Sequence, residues 1–301
     1  MGITFDKDSG IFHLFSDNTS YVLKLTKQKD IVHLYWGKRV MKPAVAHLLR
    51  PVMRAFAPAS HLDDIEMSYD SLPLEYPFYG TGDFRSPAFQ IMTPDGSLIA
   101  EPKYLSHYII KGKPGLPGLP ATYVESTDEA QTLSIILFDP LIKLKVNLVY
   151  SVFDNFDAIT RHVVFVNEGT ENIHLLRALS ATVNFNQSDF KMIQLSGSWV
   201  RERYLHTRQI EPGITSIESS RGASSHQHNP FFVLAEKDFG EQHGHVYGFS
   251  LVYSGNFLAQ VEVDQFYSTR ASIGINPFNF SWLLDPGTSF TTPEAVLVYC
   301  A

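Results

Sequence analysis

The sequence predicts an all-β protein of the two-sheet sandwich type. Short apolar runs separated by Gly, Pro, Asn and Asp follow one another along almost the whole chain, which is the pattern of a sandwich. Aromatic residues make up 13% of the 301 residues, with 22 Phe and 14 Tyr, and such residues favour strands. No helical periodicity persists beyond two turns, so no long helix is expected. We predict a single domain over residues 1–301.

The predicted strands alternate with turn residues from the first run to the last. They are residues 11–15, 21–26, 31–36, 89–93, 97–100, 133–138, 141–150, 161–166, 173–185, 231–236, 245–253, 257–266, 271–275, 281–284 and 295–299. Three turns predict hairpins, at Pro94-Asp95-Gly96, at Asp139-Pro140 and at residues 167–172. The chain ends soon after the last run, whereas domains usually carry a few polar residues beyond their last element. We therefore expect a fragment of a longer protein.

Two irregular stretches interrupt the strand pattern. Residues 44–87 contain repeated X-Pro pairs, with single helical turns at most at residues 44–50 and 61–69. Residues 113–120, with three prolines, form a stiff connector that lacks a backbone donor at each proline. Long irregular excursions within a compact domain are usually functional or make an interface.

Charge and cysteine content exclude several classes of protein. Lys and Arg number 24 and Asp and Glu 31, a net charge of −7, which argues against electrostatic binding to nucleic acid or to an anionic membrane. The single cysteine, Cys300, excludes a disulfide framework and a multi-cysteine zinc site. No apolar run has the length of a membrane span, and residues 1–10 lack a signal-peptide pattern. We expect a cytoplasmic protein.

The search for catalytic residues in the sequence yields no convincing set. A glycosidase needs two carboxylates flanking a cleft, but the candidates Asp63, Asp64, Glu75 and Asp83 show no distinctive spacing and are expected to be solvated loop acids. No G-x-S-x-G, P-loop or G-x-G-x-x-G motif occurs. No catalytic residue and no cofactor is therefore expected in this chain.

A histidine cluster offers a weak metal-binding pattern. His226 and His228 would share one face of a strand, and a third ligand would have to come from His243 or His245. A polar loop at an interface, with hydrogen-bonded imidazoles, is the favoured interpretation. We expect no metal site.

An aromatic and basic cluster at residues 199–204 allows two interpretations. Trp199, Arg201, Arg203 and Tyr204 lie within six residues. Sugars stack their C–H faces on Trp and hydrogen-bond to Arg and carboxylates. Alternatively, the segment is an edge strand with Trp199 in the core. The residues alone leave both open.

Taken together, these segments resemble glycoside hydrolase family 36. The resemblance is strongest in GSWVRER at residues 197–203 and RGASSHQHNPF at residues 221–231. Further matching segments are residues 35–38, 75–77, 79–80, 83–88, 111–114, 118–125, 253–257 and 274–278. They are similar to the N-terminal domain of the family's bacterial α-galactosidases, and the similarity covers essentially the whole chain.

The resemblance implies a β-supersandwich that precedes a catalytic (β/α)₈ barrel and a small C-terminal β domain. It implies retaining hydrolysis of terminal α-galactosyl residues of melibiose and raffinose, with both catalytic aspartates on the barrel and thus absent here. It also implies a homotetramer in which Trp199 lines the sugar pocket, while Met53, Arg54 and Phe56 belong to an interface loop near a neighbouring pocket. Some relatives carry an acidic residue where this chain has Met53, so the resemblance gives weaker support for a sugar-hydroxyl contact at position 53.

Two other functions remain open from the sequence. One is a free-standing carbohydrate-binding protein that uses the Trp199 cluster. The other is an aldose mutarotase, which needs a histidine acid and a carboxylate base on one concave face. His226 or His228 with Glu202 are the candidates for that pair.

Overall fold

Twenty β-strands run through residues 2–41, 45–49 and 68–301, which are the part of the chain that the computed structural model describes. Strands β1 to β20 are, in order, Gly2–Asp6, Ile11–Phe15, Thr19–Leu25, Ile31–Lys38, Phe89–Met92, Lys103–Lys111, Ala130–Asp139, Leu144–Phe153, Ala158–Asn167, Ile173–Phe185, Phe190–Ser198, Arg201–Gln209, Gly213–Glu218, His228–Glu236, Val246–Val252, Phe257–Val263, Thr269–Ile275, Trp282–Leu284, Ser289–Thr291 and Glu294–Cys300. The described helical segments are two single 3₁₀ turns, Ala46–Leu48 and Thr127–Glu129.

The strands form three antiparallel sheets. A four-stranded sheet has the order β1-β2-β3-β4, and a six-stranded sheet has the order β13-β16-β17-β10-β18, with β5 also paired to β10. A ten-stranded sheet has the order β12-β11-β14-β15-β20-β9-β8-β7-β6, with β19 also paired to β9. The predicted all-β sandwich is therefore confirmed.

One hydrophobic core joins the three sheets. Trp36 of the four-stranded sheet packs edge-on against Phe249 of the ten-stranded sheet, with ring centroids 5.5 Å apart. Phe185 of the six-stranded sheet lies 4.8 Å from Tyr247 of the ten-stranded sheet. The aromatic side chains that meet between the sheets therefore hold the layers together.

Two of the three predicted hairpins are wrong. β9 pairs within the ten-stranded sheet and β10 within the six-stranded sheet, so residues 168–172 cross between sheets rather than close a hairpin. Asn167 holds this crossing because its side chain donates to the Glu171 carbonyl (2.7 Å) and the Leu284 carbonyl (2.9 Å). Residues 97–100 follow the Pro94 turn without forming a strand. The hairpin of β7 and β8 is confirmed.

Six strands were absent from the predicted series, β1, β6, β11, β12, β13 and β19, although one interpretation of residues 199–204 was an edge strand. β12 shows why, because all nine of its residues are exposed and no apolar alternation marks it. In the described ranges, no helix is long and apolar enough to cross a membrane.

Candidate functional site

The candidate site is the hairpin of β11 and β12, which presents exposed aromatic and basic side chains. Trp199 and Val200 form its tight turn, Ser198 pairs with Arg201, and Val200 has φ 65°. Trp199 is 79% exposed. The indole is therefore free to stack on a ligand, as the sugar-stacking interpretation requires, and the alternative of a core tryptophan is wrong.

Gly197 is required by close backbone approach. A Cβ at this position would lie 2.0 Å from the Arg201 carbonyl oxygen, far inside van der Waals contact. The Gly197 amide also donates to the Gln227 carbonyl (3.0 Å). The space between the two strands therefore excludes a side chain at this position.

Hydrogen bonds within the hairpin stiffen it on both sides of the indole. The Val200 amide donates to Glu202 Oε1 (3.0 Å), and Arg201 Nε donates to Ser198 Oγ (3.2 Å). At the base, Ser196 Oγ and His228 Nδ1 lie 2.8 Å apart. Burial, and then the charge of Arg208, lower the pKa of His228 below its usual value, so its ring is neutral at neutral pH. Trp199 thus projects from a locally ordered support.

A groove lies along the same hairpin. It encloses about 440 Å³ and is lined by Gly197, Ser198, Arg201, Tyr204, Leu205 and His206. A guanidinium, a hydroxyl and an imidazole face it together with an aromatic ring. This combination suits a sugar, which presents both apolar faces and hydroxyl groups.

The histidine pattern does not make a metal site in the structure. His228 begins β14, whereas His226 lies in the preceding turn, so the two rings do not share a strand face. Within the described residues, no group of three or more His, Cys, Asp or Glu could hold a metal ion.

Glu75 is not a solvated loop acid, and that expectation is wrong. Its side chain is fully buried and its Oε1 accepts from the Tyr21 hydroxyl (2.7 Å) and the Tyr150 hydroxyl (2.8 Å). Arg161 Nη1 lies 2.7 Å from the same oxygen. Burial raises the pKa of Glu75, but Arg161 and His33 outweigh it and hold the pKa below its usual value. A carboxylate held ionised in this way cannot serve as a glycosidase acid.

Asp83 is buried in a second ion-pair network, which corrects the expectation for this residue too. Arg85 Nε donates to its Oδ1 (2.9 Å) and Arg270 Nη2 to its Oδ2 (2.6 Å). Burial raises the pKa of Asp83, but the two guanidinium groups lower it overall. Asp83 therefore fastens the irregular residues 83–86 to β17, a structural role. Asp63 and Asp64 lie outside the described residues.

A third buried carboxylate was missed by sequence reasoning. Glu294 on β20 is fully buried and fastens both ends of the proline-rich segment, residues 112–123. Its Oε1 lies 2.7 Å from Lys113 Nζ, and its Oε2 accepts from the Thr122 amide (2.7 Å) and hydroxyl (2.8 Å). The connector predicted at residues 113–120 is thus held against the ten-stranded sheet.

The three remaining site residues expected from the resemblance, Met53, Arg54 and Phe56, lie outside the described residues. Their place at an interface or a pocket wall stays a prediction.

Fold and hairpin together define a class of protein: an antiparallel sandwich that presents the exposed Trp199 on a hairpin whose strands also line a groove, with the carboxylates Glu75, Asp83 and Glu294 held in ion pairs. The profile described as the glycosyl hydrolase family 36 N-terminal domain matches residues 29–285. The chain belongs to this family.

Named relatives extend well beyond this chain. The α-galactosidase AgaA of Geobacillus stearothermophilus is 49% identical over 299 residues, which cover 99% of the chain and 41% of AgaA. The crystal structure of α-galactosidase AgaB from the same organism superposes with a TM-score of 0.97 at 50% identity, covering 100% of the chain and 41% of AgaB. A variant of AgaA in complex with raffinose gives a TM-score of 0.94 at 50% identity, covering 96% and 40%. The chain spans about two fifths of the length of these relatives.

Proposed function

We propose that this chain is the N-terminal, non-catalytic β-supersandwich domain of a retaining α-galactosidase. Family membership over residues 29–285 and relatives that are named α-galactosidases support the proposal. The carboxylates that the structure describes in ion pairs are unsuited to the pair of acids that glycoside hydrolysis needs. The family resemblance assigns that pair to a barrel beyond residue 301.

The observation that carries the proposed role is the exposed indole of Trp199 on an ordered hairpin whose strands also line a groove. We assign it to the wall of the sugar pocket. The relative AgaA was solved with raffinose and, in another variant, with stachyose. Galactosides of this type are accordingly the proposed substrate class.

The isolated 301-residue chain should show no α-galactosidase activity above background. It would lack the two carboxylates that perform the displacement. The check is an assay with a chromogenic α-galactoside on chain purified from a host without this activity, beside the full-length gene product. Turnover by the chain within a few orders of magnitude of the full-length product would contradict the proposal.

Replacing Trp199 with alanine should lower kcat/KM of the full-length enzyme on raffinose by a factor of about 5 to 30, since loss of ring stacking costs roughly 1–2 kcal/mol. The melting temperature of the 301-residue chain should stay unchanged because the indole makes no core contacts. Steady-state kinetics and thermal denaturation measure the two effects.

Trp282→Ala is the matched control. Trp282 is the other partly exposed tryptophan among the described residues, and it lies on β18 in the six-stranded sheet. Its replacement should leave kcat/KM as it is. Equal kinetic losses in both variants, or a large stability loss on replacing Trp199, would remove the pocket role.

Assembly and location complete the proposal. We place Arg54 and Phe56 at a subunit contact of a homotetramer, with Met53 near the neighbouring sugar pocket, as the resemblance implies. A single cysteine in 301 residues suits a reducing compartment, and we propose the cytoplasm.

The geometry gives less support to the other two functions. For an aldose mutarotase, His228 and Glu202 would have to converge, but His228 is bonded to Ser196 and Glu202 to the turn amide of Val200. A free-standing binding protein predicts galactoside binding by the 301-residue chain alone, which calorimetry with raffinose would detect.

A further inference from the structure

The outer face of the ten-stranded sheet has two halves that differ in chemistry. Residues paired directly across antiparallel strands share one face, so the registers identify what points outward. The half formed by β7, β8 and β9 carries Thr132, Ser151 and Thr160, which are paired in one row. All three are buried.

The proline-rich segment accounts for this burial. Thr132 Oγ1 donates to the Gly112 carbonyl (2.7 Å) and lies 2.8 Å from Ser151 Oγ. At the other end of the segment, Thr122 is bound by Glu294. The chain therefore covers much of this half of the face itself, and the hydroxyl groups of Thr132 and Ser151 are hydrogen-bonded beneath the cover.

The half formed by β20, β15, β14 and β11 is different. Its central outward side chains lie in two rows, and all of them are partly exposed. The first row is Val298, Gly248, Val233 and Ile193, and the second is Val296, Ser250 and Phe231. Neither row contains a charged residue, and Val298 is 42% exposed; the next row, from Cys300 through Val246 and Ala235, ends at Lys191 on β11. An antiparallel face that meets water normally alternates to polar residues, so this half is built to be covered.

A cavity of about 250 Å³ lies where the two halves meet. Tyr123 and Phe156 stand at its rim, 79% and 66% exposed, and Phe153, Ala158 and Val296 line it. Two of its polar neighbours are already engaged, Thr122 with Glu294 and Glu129 with the amides of Glu125 and Ser126. The cavity offers mainly apolar contact, which suits a buried side chain of a protein partner better than a sugar.

We infer that the outer face of β20, β15, β14 and β11, together with the Tyr123–Phe156 cavity, is the surface on which the remaining part of the α-galactosidase subunit packs. An apolar side chain of that part would fill the cavity. The inference rests on the proposed function. The chain covers only 41% of the related α-galactosidases, so each of those subunits carries additional polypeptide in a fixed one-to-one ratio. Permanent interfaces are more hydrophobic than transient ones, and charged residues are depleted at their core.

Protection of an introduced cysteine from a thiol reagent tests this surface. In a Cys300→Ser background, Val233→Cys reports on the outer face and Ile214→Cys, on the exposed edge strand β13 of the six-stranded sheet, is the matched control. Each variant is labelled with a thiol reagent in the 301-residue chain and in the full-length protein, and the peptide carrying the new cysteine is quantified by mass spectrometry. We expect V233C to react at least tenfold more slowly in the full-length protein, and I214C to react equally in both.

Each other outcome is decisive. Equal labelling of V233C in both proteins overturns the inference, as does protection already present in the 301-residue chain. If that protection disappears on dilution, the occupant is a second copy of the chain. The α-galactosidase assay on the same full-length samples separates the two proposals. Activity without protection overturns only the surface, whereas protection without activity supports the surface and overturns the function.

Discussion

Replacing Arg161 with methionine should lower the free energy of unfolding of this protein by about 3–5 kcal/mol, the range found when one partner of a buried ion pair is removed. Arg161 and Glu75 are both fully buried. Methionine fills much of the volume but leaves the carboxylate of Glu75 in the core without its 2.7 Å cation. Urea denaturation at neutral pH measures the loss.

The loss is large because Arg161 also satisfies backbone groups. Its Nη1 donates to the Thr182 carbonyl (2.7 Å) and its Nη2 to the Glu75 carbonyl (3.0 Å). These bonds connect β9 of one sheet to β10 of another and to the irregular residues around Glu75. An unpaired buried carbonyl adds its own desolvation cost.

The double variant Glu75→Gln/Arg161→Met is the control. A neutral amide at position 75 can keep the Tyr21 and Tyr150 hydroxyls as partners without a cation, so the double variant should be more stable than Arg161→Met alone. A loss below about 1 kcal/mol in the single variant would show that this pair is not the buried charge that the distances describe.

Acidification should destabilise the protein by about 3 kcal/mol through His162, the second large effect. Burial is the main cause that lowers the pKa of His162 from 6.5 to about 4; Glu294 opposes it and Lys113 adds to it. The histidine is therefore neutral in the folded state while the unfolded chain binds a proton. Its contribution is fully present above pH 6.5 and is lost as the pH falls toward 4. Each pH unit in that window corresponds to about 1.4 kcal/mol.

The measurement is the free energy of unfolding between pH 7 and 5, where carboxylates contribute little, for the wild type and His162→Gln. The variant should show a slope that is smaller by about one proton. At pH 8 both side chains are neutral in both states, so the difference there reports packing alone. His13, whose pKa burial and Arg39 also lower to about 4, keeps some slope in the variant. Parallel profiles would mean that His162 is protonated in the fold.

Strands with a buried face were predictable from local pattern. β2 and β10 occur at the predicted residues because apolar and β-branched residues there meet the core whichever strand lies beside them. β12 was not predictable, since an edge strand with both faces exposed has no apolar alternation. Strand partners were less predictable still, as the crossing between β9 and β10 shows.

The candidate site likewise combines features that the local sequence indicates with features that only tertiary contacts decide. The turn that exposes Trp199 is local, but the residues around it allowed both a core and an outward indole, and only the family resemblance favoured the outward one. The sequence by itself determined the all-β class. Only the tertiary structure decided the fate of the acids. Glu75 meets an arginine 86 residues away and Glu294 a threonine 172 residues away. Burial and pairing are properties of residues that folding brings together, so a carboxylate in a loop sequence can be solvated or can hold the core, and its neighbours along the chain do not distinguish the two.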